Sequence, residues 1–364
     1  MRAINLSNAL ATRGHKVTII SSDFDHFSKQ HRKRSQRTIY VNENIQIKLI
    51  PSRGYKRHVG IARIVDHAQL GQGIRKIVED NGVPDVAFIG FPPIEPAWVL
   101  TKWLSRRGVP YLLDVKDAWP DIFALKFPKF MRTFGYLILL PYFLMAKTIF
   151  VKAKGIVTPS NSFGDWSLKK AKRTASKFDI TAPLTSPEVN LSSFEIESAE
   201  NFWDSLGINK ENQRRIYFVG SLTESFDFEP LVILARESNV QVVIAGEGPK
   251  KKELLKLSKN ISNLVIPGWI NQAQLSVLAE RSQFSVIPTI NRLDFDMTIN
   301  NKLIDSLRLS KPILSSNSKL VTDFLNSYNV GLGYDSRSLG KVITDALADS
   351  RYYDELVRNT KNLY

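Results

Sequence analysis

A lysine and an aspartate lie one turn apart near the start of a predicted helix in the second half of the chain. Lys302 and Asp305 fall within residues 301–311, and the helix ends before Pro312, which opens an apolar strand. The N-terminus of a helix presents free amide groups and the positive end of its dipole to a phosphate. An acid beside it can accept hydrogen bonds from sugar hydroxyls. These residue types at this spacing predict a site for a phosphate that carries a sugar.

Glycine-containing turns follow two predicted strands of the same half, those at residues 215–219 and 240–245. The turn residues are Gly220, Ser221, Gly246, Glu247 and Gly248. Where parallel strands end, such glycines let a phosphate or a base approach the backbone. A plain turn between a strand and a helix is the alternative interpretation of either turn alone.

The first half has its own group of polar residues at a strand end. A predicted strand ends at Asp114, and Lys116, Asp117 and Trp119 follow before Pro120 opens a helix. A lysine between two aspartates at the carboxyl end of a strand is costly unless it serves a ligand. The alternative is an ordinary helix start, with an aspartate as the cap and a proline in the first turn.

Short apolar runs alternate with helical stretches along both halves of the chain. Apolar runs that are bounded by turns and separated by helices predict parallel sheets with helices on both faces, so the predicted fold class is α/β. The predicted strands follow an amphipathic helix at residues 1–10 and lie at residues 17–20, 45–50, 85–89, 110–114, 155–158, 215–219, 240–245, 264–266, 284–287 and 312–315.

A chain of 364 residues predicts two domains. We expect an N-terminal Rossmann-like domain at residues 1–185 and a C-terminal one at residues 215–364. Residues 186–214 are rich in Pro, Ser, Asn and Glu and are predicted to be the interdomain segment.

Composition excludes several classes of protein. Hydrophobic residues make up 43% of the chain and charged residues 23%, as in an ordinary globular protein. The absence of cysteine excludes disulfides and thiolate metal sites and indicates a reducing compartment. Residues 1–183 hold 30 Lys and Arg against 13 Asp and Glu, a net charge of +17, whereas the remainder has a net charge of −2. Charge alone leaves an anionic membrane surface and nucleic acid open as partners of the first half.

One uncharged segment of the first half bears on the choice between a membrane surface and nucleic acid as the partner. From Gly135 to Ala146 the chain has twelve residues without a charge, and basic residues precede and follow them. The segment is too short to cross a bilayer and contains Pro141. An apolar, aromatic helix with basic flanks can lie in a lipid interface, whereas a buried helix of the first domain is the alternative.

Taken in order along the chain, these segments resemble motifs of the retaining family-4 glycosyltransferases. Members have the GT-B fold, two Rossmann-like domains facing across a cleft. Asp305 stands seven residues before Pro312, where the family carries a glutamate. Residues 245–249 resemble the nucleotide-site loop, and residues 267–288 resemble the family's strand–helix–strand hairpin. Residues 111–120 resemble the "V-(R/H)-D-x-W-P" segment of members that build surface polysaccharides.

The resemblance implies a role for each group of residues. Lys116, Asp117 and Lys302 would be catalytic, and Lys302 with the helix amides would balance the diphosphate. Trp269 would pack against the base, although a core anchor is the alternative for a large aromatic side chain. The implied donor-binding residues are Gly220, Ser221, Gly246, Glu247, Gly248, Trp269, Ile270, Thr298, Asn301, Lys302 and Asp305. The implied acceptor residues are Phe91, Pro92, Asp114 and Trp119. The N-terminal domain would thus face the acceptor and the membrane, and the C-terminal domain would bind the nucleotide sugar.

The same resemblance implies the reaction and its location. A sugar would move from a nucleotide sugar, a UDP-sugar in most such relatives, to a polysaccharide or lipid-linked glycan precursor. The anomeric configuration would be retained, and neither a metal nor a further cofactor is expected. The protein would lie in the cytoplasm, peripherally at the inner face of the cell membrane.

The sequence departs from the family pattern at two places. The family begins with one more strand and a Gly-rich loop before the opening helix, and we expect both to be missing here. Met297 stands where many members carry a second acid. A catalytically inactive partner of another glycosyltransferase is therefore an alternative, as is a nucleotide-sugar epimerase. A nucleic-acid-binding function would rest on charge alone, and we expect no nucleic-acid partner. We interpret the acidic triplets at residues 23–25 and 294–296 as loop residues.

Overall fold

The computed structural model describes residues 2–25, 30–32, 37–55, 60–125, 127–183, 189–209, 214–290, 301–316 and 319–364. The chain divides into two compact units, Met1–Pro183 (unit 1) and Leu184–Tyr364 (unit 2). The roles predicted for the two domains stay predictions.

Unit 1 alternates helices and strands around two separate sheets. Its strands are β1 Val17–Ser22, β2 Thr38–Asn42, β3 Ile45–Ile50, β4 Ala87–Phe91, β5 Tyr111–Val115, β6 Gly155–Thr158 and β7 Ile180–Thr181. The sheet orders are β1-β3-β2 and β4-β5-β6-β7, and every pairing is parallel except that of β2 with β3. Its helices are α1 Arg2–Ala11, α2 Ile61–Asp80, α3 Ile94–Arg106, α4 Asp121–Ala124, α5 Arg132–Ile138, α6 Leu140–Lys152 and α7 Asn161–Ala171, with a 3-10 turn at Lys129–Met131.

Unit 2 is built on one parallel sheet of six strands in the order β10-β9-β8-β11-β12-β13. The strands are β8 Arg215–Val219, β9 Gln241–Ala245, β10 Leu264–Gly268, β11 Phe284–Ile287, β12 Ile313–Ser316 and β13 Gly331–Tyr334. The described helices are α8 Ser193–Ser205, α9 Glu229–Glu237, α10 Lys251–Ser258, α11 Gln272–Glu280, α12 Asn301–Arg308, α13 Lys319–Tyr328, α14 Leu339–Ala348 and α15 Ser350–Leu363. Its central strands are buried on both faces, which explains their unbroken apolar sequences.

Residues 186–214, predicted as the interdomain segment, contain a helix that packs onto unit 2. Ser192 caps α8, because its hydroxyl accepts from the Glu195 amide at 3.3 Å while the Glu195 carboxylate accepts from the Ser192 amide at 2.9 Å. The Trp203 side chain is fully buried, and its indole donates to the Gln274 carbonyl at 2.8 Å. This part of the predicted interdomain segment is therefore a helix of unit 2, and its capping-box spacing was visible in the sequence.

The uncharged segment from Gly135 to Ala146 is not one helix. It is divided between α5 and α6, and Pro141 occupies the first turn of α6. In the described part of the chain, no single helix is long and apolar enough to cross a membrane. The bent pair Lys129–Ile138 and Leu140–Lys152, at 66° to each other, meets those criteria only together.

Candidate functional site

The turns after β8, β9 and β10 are joined at the carboxyl edge of the unit 2 sheet. The Gly246 amide donates to the Gly268 carbonyl at 2.7 Å, and the Gly220 amide donates to the Ala245 carbonyl at 3.0 Å. A Cβ atom on Gly246 would lie 1.8 Å from the Gly220 carbonyl oxygen, and the φ of Gly246 is +143°. Only glycine fits here, because another residue would push the two turns apart.

Helix α12 places Lys302 against this edge. Leu303 and Leu307 are buried in the core, which fixes the rotation of the helix. The Lys302 ammonium lies 4.5 Å from the centre of the Phe226 ring and 5.4 Å from that of Phe218. A Cβ atom on Gly220 would lie 2.7 Å from the Lys302 Nζ. The cation is therefore held between two aromatic rings and the glycine turn.

The surroundings of Lys302 make it a candidate anion-binding group. Burial lowers the pKa of Lys302 to about 8, and the charge of Asp305 only partly offsets this effect. Among the described residues, no hydrogen bond or ion pair engages its ammonium. An ammonium group has three donors, so an anion bound here would supply the missing acceptors.

The remaining donor-binding residues predicted in unit 2 have differing exposure. The Trp269 side chain is 70% exposed, so the alternative of a core anchor is wrong. The Ile270 side chain is buried in the core, which leaves only its backbone for a ligand. Glu247 is exposed and forms an ion pair with Lys251, 2.5 Å between oxygen and nitrogen. Its carboxylate is thus already engaged by a cation.

Five further predicted positions complete the unit 2 list. At Gly248, whose φ is +155°, a Cβ atom would lie 2.3 Å from the Leu222 carbonyl oxygen, so this turn also needs glycine. Ser221 and Asn301 are exposed, and Asp305 is partly buried on α12 one turn after Lys302. Thr298 lies outside the described residues, as do Met297 and the acidic triplet at residues 294–296.

In unit 1, Asp114 is already paired with cations. Its side chain is buried at the end of β5, where it forms an ion pair with Arg2 and a second one with Lys116 at 3.3 Å. Arg2 also donates to the Ala182 carbonyl at 2.6 Å. The prediction that Asp114 contacts an acceptor does not fit this geometry, because its oxygens hold Arg2 and Lys116 instead. The Lys116 side chain remains 51% exposed.

Phe91 does not fit its predicted role either. Its ring is fully buried and contacts the Phe150 ring edge-on at 4.9 Å. Its carbonyl accepts from the Lys116 amide at 2.8 Å, so the residue positions the next strand end. Pro92 is partly buried after it.

Trp119 and Asp117 lie at the same strand end of unit 1 as Lys116. The Trp119 ring is partly buried, contacts the Phe123 ring at 4.6 Å and lies 4.9 Å from the Arg63 guanidinium. Asp117 is partly buried, and its carbonyl accepts from the Trp119 amide at 2.9 Å. The structure brings Lys116, Asp117 and Trp119 together, as their spacing predicts.

The family model described as Glycosyl transferases group 1 matches residues 213–349. This range contains all the unit 2 candidates from Gly220 to Asp305. Unit 2 carries a group 1 glycosyltransferase domain. A domain of this family indicates an enzyme of the transferase class. No curated protein matches the sequence.

Solved structures of glycosyltransferases share the fold of this chain. Sucrose-phosphate synthase from Thermosynechococcus elongatus is 14% identical with a TM-score of 0.71, covering 98% of this chain and 86% of its own. WaaG, a glycosyltransferase involved in lipopolysaccharide biosynthesis, is 12% identical with a TM-score of 0.66, covering 99% and 89%. HepE from Anabaena, in complex with UDP, is 12% identical with a TM-score of 0.60, covering 87% and 80%. These matches confirm the predicted GT-B fold.

Three contributors to the candidate sites were missed from the sequence. Phe226 contacts the Lys302 ammonium, Arg2 pairs with Asp114, and Arg63 covers Trp119. Arg2 and Arg63 belong to helices far from their partners in sequence, and no local pattern marks them. Phe226 belongs to a turn rich in aromatic residues after β8, which could have suggested a cation-binding surface.

No group of three or more potential metal ligands occurs among His, Cys, Asp and Glu of the described residues. Asp23, of the first acidic triplet, is buried and accepts from the Ser52 amide at 2.8 Å. The carboxylate thus fixes a neighbouring loop.

Proposed function

We propose that this glycosyltransferase moves a sugar from a UDP-sugar to a polysaccharide or lipid-linked glycan precursor, with retention of the anomeric configuration. One observation carries the donor assignment: the Lys302 ammonium, which the described residues leave without an acceptor, beside glycine turns that admit a phosphate. Similar structures of HepE contain UDP and UDP-glucose. A UDP-sugar has the diphosphate, the ribose and the base that these groups would bind.

In this proposal each side chain of unit 2 acts on a different part of the donor. Lys302 binds the diphosphate and stabilises the charge that develops on it as the bond to the sugar breaks. Asp305 accepts hydrogen bonds from the ribose hydroxyls, and the exposed Trp269 ring packs against the base. Neither a metal nor a further cofactor takes part in the proposed reaction.

The proposed roles in unit 1 concern the transferred sugar and the acceptor. Lys116 interacts with the donor sugar and its leaving phosphate, and Asp117 orients sugar or acceptor hydroxyls. The exposure of the Lys116 side chain supports this role, since Asp114 engages only part of its charge. Asp114 acts as a positioning residue for Lys116. The lipid-linked acceptor places the reaction at the inner face of the cell membrane.

The test of the donor site is a titration of Asp305→Ala and of the unchanged protein with UDP, GDP and ADP. We expect UDP to raise the melting temperature of the unchanged protein, because a ligand that binds only the folded state stabilises it. The rise should be much smaller in Asp305→Ala and unchanged in Asp323→Ala, which removes an exposed acid from α13. An equal rise in all three proteins would remove Asp305 from the ribose contact.

A catalytically inactive partner subunit is the second candidate. The engagement of Asp114 by Arg2 supports it, because a buried ion pair occupies part of the strand end at which an acceptor would bind. UDP binding without turnover, together with copurification of an active glycosyltransferase, would favour this function. The group 1 match favours a transferase over the epimerase alternative.

A further inference from the structure

The outer sides of the 3-10 turn, α5 and α6 form an exposed apolar surface in unit 1. Phe130 is 85% exposed, Phe134 56% and Leu137 63%. We define the apolar ridge as Phe130, Phe134, Leu137, Ile138, Leu140 and Leu144, all of them exposed. Large apolar side chains are usually exposed singly, so six within fifteen residues mark an interaction surface.

The opposite side of α6 fixes the apolar ridge to the core. Ile149 and Phe150 are fully buried, and the Phe150 ring contacts the Trp166 ring edge-on at 5.6 Å. The Tyr142 hydroxyl donates to the Glu95 carboxylate on α3 at 3.0 Å. Because one side of the helix is held by packing and a hydrogen bond, the exposure of the other side is a property of the fold.

The charge around the apolar ridge has a single sign. From residue 122 to residue 164 the sequence contains six Lys and Arg but no Asp or Glu. Lys129 precedes Phe130, and Lys147 lies one turn after Leu144 on α6; both side chains are exposed. Long basic side chains beside an apolar surface can keep their ammonium groups at the level of lipid headgroups while the apolar residues enter the acyl region.

We propose that the apolar ridge and its basic flank dock unit 1 onto the surface of a bilayer that contains anionic lipid. The exposed Lys129 and Lys147 complement anionic headgroups, and the ridge provides the apolar contact. The cations of a protein partner would find no carboxylate within residues 122–164 with which to pair. This inference rests on the proposed function, because docking would bring the enzyme to the membrane that holds a lipid-linked acceptor.

The test is sedimentation of the full chain with vesicles of phosphatidylcholine, alone or with 30% phosphatidylglycerol. We expect binding to the anionic vesicles and little to the neutral ones. Phe134→Ser/Leu137→Ser should weaken binding at least tenfold, because both side chains would leave the interface. Val83→Ser/Val86→Ser removes two exposed valines elsewhere in unit 1 and should not change it.

A second pair of variants tests the charge. Lys129→Gln/Lys147→Gln should weaken binding to anionic vesicles roughly tenfold. Lys16→Gln/Lys76→Gln, which removes two exposed lysines elsewhere in unit 1, should weaken it much less. Equal losses for the two lysine pairs would show attraction to the general positive charge and overturn docking by the ridge.

Two further readouts separate this proposal from the donor site. The rise in melting temperature with UDP should be the same in all four variants and in the unchanged protein, which also shows that they fold. A variant that loses vesicle binding but keeps UDP binding would have a defect in docking alone. A variant that loses UDP binding but keeps vesicle binding would have a defect in the donor site alone. Self-association that disappears in Phe134→Ser/Leu137→Ser, without vesicle binding, would assign the ridge to a second copy of the chain and overturn the proposal.

Discussion

Units 1 and 2 share the alternation of helix and strand but differ in the continuity of their sheets. In unit 2 the first strand in sequence, β8, lies in the middle and pairs with both β9 and β11. In unit 1 the described strands give no equivalent: β1 pairs only with β3, and β4 pairs only with β5. The described part of unit 1 thus has two short sheets where unit 2 has one continuous sheet.

The difference in continuity extends to burial. The five residues of β9 are all buried, whereas no residue of β1 is. Strand β9 pairs with β8 and β10, whereas β1 pairs only with β3 and is half polar, so both sheet position and composition lower the burial of β1. A central strand has hydrogen-bonded neighbours on both sides, whereas an edge strand such as β1 or β4 leaves about half of its amides without a ladder partner.

Amide hydrogen exchange tests this difference between the units most directly. We expect the outward amides of β1 and β4 to exchange on the order of a thousandfold faster than the amides of β8, because local opening costs little at an unpaired edge. The measurement is exchange resolved by residue in the ligand-free protein. Equal protection in β1, β4 and β8 would mean that something covers both edges and that the two sheets of unit 1 act as one.

A pair of glycine substitutions compares the strand ends of the two units. Gly246→Ala should lower the free energy of unfolding by about 3 kcal/mol, because its Cβ atom would meet the Gly220 carbonyl at 1.8 Å. Gly90→Ala, near the end of β4, should be close to neutral, since a Cβ atom there has no neighbour within 4 Å. The check is denaturant unfolding of both variants.

UDP binding by the same two variants extends the test. Gly246→Ala should also lose UDP binding, because the turns after β8 and β9 would separate, whereas Gly90→Ala should keep it. A stable Gly246→Ala that binds UDP normally would show that the turns are not the phosphate site.

Much of unit 2 could be predicted from its sequence because the signals are local. The apolar runs, the glycines that follow them and Lys302 on its helix each lie within a few residues of the feature they report. The strands β2, β7 and β13 were missed. β2 is largely exposed, β7 has only two residues, and β13 contains two glycines, so each gives a weak apolar pattern.

The features that could not be predicted depend on contacts distant in sequence. Arg2 pairs with Asp114 across 112 residues, and this pairing decides whether the carboxylate can serve a ligand. Phe91 follows a strand in an apolar stretch, and its sequence does not tell whether the ring points into the core or out of it. The division of the unit 1 strands between two sheets is a property of sheet order, which local periodicity does not encode.

The last prediction concerns Lys302. The Lys116 side chain in unit 1 is paired with Asp114, whereas the described residues offer the Lys302 ammonium no ion pair. Burial lowers the pKa of Lys302 from 10.5 to about 8, so the folded protein holds this proton less tightly than the unfolded chain does. Lys302 therefore reduces stability below about pH 8, and this loss is relieved as the pH rises from about 8 towards 10.5. A bound diphosphate needs the ammonium form, so its affinity should change in the opposite direction.

We expect the affinity for UDP to fall about tenfold between pH 7 and pH 9, as a lysine with this pKa loses its proton. Calorimetric titration at each pH measures the affinity, and buffers of different ionisation enthalpy measure the accompanying proton uptake near pH 8. Lys302→Gln should bind weakly at every pH and show neither effect. Lys311→Gln is the matched control, because Lys311 is also a lysine of unit 2 whose pKa burial lowers, but its ammonium already donates to the Ser282 carbonyl at 3.0 Å. If the pH dependence survived in Lys302→Gln and vanished in Lys311→Gln, the lysine that binds the diphosphate would be Lys311 and not Lys302.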